Sequence, residues 1–164
     1  MGKNKTTFQQ MIRYDIIYSR NLSFWMDAKI FLLTLPAIMA EIQSILEEAM
    51  EGARNVDADR ALAMAEGEGE LTFITGDVML SGTDYIREIF RDTYAGIESQ
   101  EQTIIEKHVR ILSPDVAIVM AVSEGTYTDI AGWTSEPVGL GTTIVFVREN
   151  GEWRARHAHQ SIAP

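Results

Sequence analysis

The sequence predicts an α+β domain in which helices cover one face of a curved, mainly antiparallel sheet. Three observations carry that prediction. Residues 37–94 read as helices and short connections, and Ile38, Ile42, Ile45, Leu46 and Ala49 form a helical stripe. Beyond Gly96 the pattern becomes extended, with four β-rich runs joined in pairs by Ser113-Pro114-Asp115 and Asn150-Gly151. The run Val116–Val122, VAIVMAV, is apolar without alternation, so both of its faces need cover. Helices supply one cover, and a second copy of the chain is the expected other.

Composition narrows the function. With 164 residues and 46% hydrophobic content the chain suits one domain with a real core. It has no cysteine, which excludes a disulfide scaffold and a thiolate metal site. A formal charge of -10 repels phosphate backbones and anionic lipid, so neither nucleic acid nor a membrane is an expected partner. That charge is uneven. Residues 1–35 carry five basic and two acidic side chains, net +3, whereas residues 36–164 carry nine and twenty-two, net -13. The division marks a basic N-terminal extension or leader before an acidic domain at 36–164.

Two readings fit the join. Ile30–Ala40 has the length of a signal-peptide apolar core and is too short to span a bilayer; export would follow if it is cleaved after Ala40. Otherwise Pro36 starts a helix that continues through Ala37–Gly52, and the protein is cytoplasmic. Met11–Trp25 suits a short amphipathic helix.

The acidic part then reads in order. Asp57 caps a helix over Ala58–Glu66, which stops at Gly67 and Gly69. Leu71–Thr75 is a strand, Gly76-Asp77 turns it, and Val78–Leu80 returns. A third helix starts at Thr83, with Tyr85, Ile86, Ile89, Phe90 and Tyr94 on one side. Strands over Thr103–Leu112, Val116–Tyr127, Val138–Arg148 and Glu152–Ile162 complete the chain.

Over residues 36–164 this layout resembles the nuclear transport factor 2-like superfamily, which includes ketosteroid isomerase, SnoaL-like cyclases and the association (hub) domain of calcium/calmodulin-dependent kinase II. Gly69–Phe90, ending SGTDYIREIF, is similar to SnoaL-like proteins of the SgcJ/EcaC type. His108-Val109, Asp115, Ala117, Tyr127 and the pattern Gly151, Trp153, His157, His159, Ser161, Pro164 resemble the hub. The resemblance implies a cone-shaped, cystatin-like roll of three helices on a bent sheet, with a pocket inside. Function must come from individual residues, because this cone hosts enzymes, binding proteins and assembly modules.

The residues argue against isomerase chemistry. The base, acid and tyrosine positions implied by ketosteroid isomerase fall near Thr75, Thr143 and Met50. Asp77 and Glu124 remain as candidate bases for a cyclase or isomerase, if burial raises their pKa. The hub's ligand-contacting arginine positions fall near Ser123, Ile144 and Gln160, none of them arginine. No phosphate loop, dinucleotide fingerprint or nucleophile elbow occurs, so no cofactor is expected.

A two-residue Asn150-Gly151 loop would place Arg156 opposite Val145 and Ala158 opposite Thr143. Arg156 is then an anion anchor inside the cone or the partner of Glu124. Met120, Val122, Thr143, Val145, Gln160, Tyr85 and Trp133 are the expected lining. His157 and His159 share the other face with Trp153 and Ala155, in a structural or interface role; no metal site is expected, since a third ligand is missing. The expectation is a homo-oligomeric binding protein for a small apolar or weakly anionic molecule. A hub-like module with a vestigial pocket, and a cyclase or isomerase, are the alternatives.

Overall fold

The computed structural model describes residues 24–162. The described residues fall into two units divided between Ile38 and Met39. Helix α1, Phe24–Arg54, runs through the proposed cleavage point after Ala40 and carries Pro36 in its interior, not at its first position. Pro36 gives no N–H to the helix, so its neighbours Leu35, Ala37, Ile38 and Met39, all able to sit in a helix, must sustain the pattern around it. Most of the Met11–Trp25 segment lies outside the described residues. Among them, no helix is long and apolar enough to cross a membrane.

In the second unit the expected order appears. Asp57 caps α2, Ala58–Leu62, its side chain accepting the Arg60 N–H at 3.0 Å. A 3-10 turn, Ala63–Ala65, follows where one longer helix was expected. Strands β1, Thr72–Thr75, and β2, Val78–Ser81, flank the Gly76-Asp77 turn. Helix α3 is Thr83–Tyr94. The long strands are β3, Ile97–Ser113; β4, Val116–Asp129; β5, Val138–Glu149; and β6, Glu152–Ile162. β3 begins six residues before the expected start, because ESQEQ is polar yet pairs with the end of β4.

One six-stranded sheet has the order β2-β1-β6-β5-β4-β3. All neighbours are antiparallel except β1 and β6, which run parallel. The core lies on one sheet face: Ala117 and Val119 of β4, Ile144 and Phe146 of β5, and Trp153, Ala155 and Ala158 of β6 are buried. Paired positions share a face, so Phe73, opposite Ala158, belongs to it and meets Phe90 of α3 edge-on at 5.6 Å. Ile42, Leu46, Leu62 and Ile86 are the buried helical counterparts.

Candidate functional site

The β5–β6 hairpin sets the site, and its register departs from the expected one. From the turn to Phe146 the pairs follow the two-residue loop, with Val147 opposite Arg154 and Phe146 opposite Ala155. The next pair is Val145 with His157, so Arg156 is the extra residue of a β-bulge. The bulge moves every later side chain to the other face. Trp153 and Ala155 therefore share the helix-facing side with Ala158 and Gln160, and not with His157 and His159.

Arg156 is neither opposite Val145 nor beside Glu124. Its Nε and Nη2 donate to Glu149 Oε1 and Oε2, each at 2.5 Å, and its Nη1 donates to the Ala65 carbonyl at 2.7 Å. That bidentate contact holds the Glu149 carboxyl below the usual carboxylate range. With five donors and these acceptors supplied internally, the guanidinium serves as a clasp between the hairpin and the segment entering β1. Glu124 sits exposed on β4, between the β3 and β5 positions Thr103 and Gly139.

The expected lining residues divide between faces. Met120 and Val122 of β4 and Thr143 and Val145 of β5 lie on the face away from the core, together with Ile118, Val147, His157 and His159. His108, Met120, Thr143, His159 and Ile74 form one row across this outer face. His157 Nδ1 is 2.8 Å from Thr72 Oγ1, and His108 Nε2 is 2.7 Å from Glu106 Oε1. Val122 is 48% exposed, which leaves the VAIVMAV strand with its second face open.

Gln160 alone of the strand set lies on the inner face, opposite Thr142 and Thr75. Ser123, Ile144 and Gln160, the three positions implied by the hub resemblance, all share that face. There Gln102 Nε2 donates to Ser123 Oγ at 2.8 Å, with Ser123 2% exposed. Gln100 donates to the Ala53 carbonyl, and burial pushes the Tyr94 hydroxyl upward in pKa. Gln100, Gln102 and Tyr94 were missed by sequence reasoning; period-2 spacing from Ser123 through its β3 partners was the available signal.

Trp133 is exposed in the β4–β5 loop and stacks edge-on against Tyr127 at 5.9 Å. Asp129 Oδ1 accepts the Ala131 and Trp133 N–H groups and fixes that loop. Tyr85 is 55% exposed and lines a cleft of about 320 Å³ with Glu66–Glu70 and Arg87, not the sheet interior. Asp77 sits exposed in its turn. Among the described residues no three His, Cys, Asp or Glu side chains gather as a metal site.

Three helices on a six-stranded, mostly antiparallel sheet define the nuclear transport factor 2-like, cystatin-like class. A protein of that superfamily from Salmonella enterica serovar Typhimurium superposes with a TM-score of 0.70, covering 77% of this chain and 92% of its own at 16% identity. A ketosteroid isomerase-like protein from Erwinia carotovora gives 0.63, with 76% and 96% covered at 21% identity. A candidate calcium/calmodulin-dependent protein kinase II association domain from Xanthomonas campestris gives 0.64, with 76% and 86% covered at 20% identity. No curated protein matches the sequence. The chain belongs to the calcium/calmodulin-dependent protein kinase II association domain family, matched over residues 39–164.

Proposed function

We propose that this chain is a homo-oligomeric association module that joins copies of itself through the outer sheet face. The observation that carries the reading is the open apolar centre formed by Ile118, Met120, Val122, Val145 and Val147. Charge favours a second copy as the cover. The outer face carries Glu101, Glu106, Glu124, Glu149 and Glu152 against Arg110, Arg154 and the bulged Arg156, so both signs are interspersed there and it holds only a small part of the chain's charge of -10. Size agrees too. Four long strands about 4.8 Å apart, over ten residue pairs, give roughly 650 Å² per copy and roughly 1,300 Å² per pair, within the range of stable interfaces.

Sedimentation equilibrium tests this reading. The wild-type chain is expected to give at least a dimer mass, and Met120→Asp to give a monomer with unchanged far-UV circular dichroism. A wild-type monomer at 50 µM, or a Met120→Asp dimer, would sink it.

The Gln102–Ser123 pair supports a second reading, a small neutral polar ligand on the inner face. The absence of arginine at Ser123, Ile144 and Gln160 disfavours an anion there. Thermal-shift screening with neutral amides and alcohols against acids distinguishes the two classes; stabilisation by acids alone would reject it.

A further inference from the structure

We infer that self-association through the outer face is switched by pH through His157 and His159. The inference rests on the association reading above and adds its regulation. Both histidines stand on β6, which with β5 forms the middle of the six-stranded sheet, so they lie within the face and not at its rim. The bulge at Arg156 puts them there, since without it Arg156 and Ala158 would take the places opposite Val145 and Thr143.

Their surroundings favour the neutral imidazole once a second copy arrives. His157 lies between Val145 on β5 and Thr72 on β1, and His159 between Thr143 and Ile74. β2 presents Met79 and Ser81 in the same rows and adds no charge. The remaining charged groups on this face are Glu101, Glu106, His108 and Arg110 on β3, Glu124 on β4, Glu149 on β5 and Glu152 and Arg154, which pair with each other, on β6, with Arg156 at the bulge. Glu149 is held by Arg156, and Glu106 lies against His108. No carboxylate occupies the β1 or β5 positions paired with His157 or His159. Covering an imidazolium there removes its water, and the neighbouring strands of its own copy offer it no counter-ion.

The direction follows from linkage. Histidine side chains ordinarily change charge between pH 5 and 8, so one kept neutral in the pair weakens association by about tenfold between pH 7.5 and 5.5. A two-fold pair carries each such group twice, so one fully covered histidine per copy gives about a hundredfold.

Sedimentation equilibrium on the full chain at pH 7.5 and 5.5 tests this, with near-UV circular dichroism recorded alongside. The expected result is a dissociation constant at least about tenfold larger at pH 5.5, with an unchanged near-UV spectrum. His157→Gln/His159→Gln should associate at pH 7.5 and lose most of that dependence, whereas His108→Gln, on the edge strand, should keep it. A pair that forms at both pH values with equal affinity overturns the switch alone. An equally pH-sensitive double variant also overturns it, as does dissociation accompanied by loss of the near-UV signal. A wild-type monomer at pH 7.5 overturns the association reading with it.

Discussion

Arg156 and Glu149 meet end to end, with Nε on Oε1 and Nη2 on Oε2, in a pair whose side chains are 12% and 25% exposed. The hydrogen-bonded guanidinium depresses the Glu149 carboxyl in the folded chain. A depressed carboxyl contributes stability that is present above its unfolded value, near 4.3, and is lost as pH falls through its folded value. Thermal melts of the wild type should therefore decline as pH drops below about 4.3. Glu149→Gln should melt lower at pH 7 and show a shallower decline. An equally steep acid decline in Glu149→Gln would remove the pair from the explanation.

The same pair dictates a glycine nearby. A Cβ at Gly69 would lie 2.5 Å from Arg156 Nε and 2.9 Å from Glu149 Oε1, so a methyl must displace the clasp. Gly69→Ala is expected to cost about 1–3 kcal/mol in urea unfolding, as overpacking does. Gly96→Ala, whose nearest neighbour is 3.7 Å away, should cost under about 0.5 kcal/mol. Equal midpoints for the two variants would show that the clasp tolerates the methyl.

On the inner face, Ser123→Ala removes the acceptor for Gln102 Nε2. A part-buried amide left without a partner costs about 1–3 kcal/mol. The double change with Gln102→Leu should recover part of that loss, and a double-mutant cycle gives the coupling. A coupling of zero would mean that the amide finds another partner.

Asp57 tests the start of α2. Asp57→Ala deletes the acceptor for the Arg60 N–H and should cost about 1 kcal/mol, while Asp57→Asn should be nearly neutral. Chemical denaturation resolves the difference, and equal losses from both would point to charge instead of capping.

The elements were legible wherever local chemistry was decisive. Asn150-Gly151, with Asn150 at φ 51 and Gly151 at φ 89, makes the turn its residues favour, and β6 starts and ends where its pattern does. Local signals failed at Pro36, which the helix absorbs, and at the polar start of β3, whose strand character comes from pairing with β4. For the site, the open second face of Val116–Val122 was readable from its missing alternation. The Glu149 partner of Arg156 was not.

The sequence alone thus determined the α+β order, the hairpin turns, the apolar strand and the family, since each depends on neighbours in the chain or on a contiguous motif. Tertiary structure decided which residues share a face. One extra residue in β6 sends His157 and His159 to the outer side and Gln160 to the inner side, and period-2 reasoning cannot foresee it. The local geometry agrees with long-range contacts: Ala65, Gly67 and Gly69 come within reach of Arg156 only once the segment entering β1 lies beside β6.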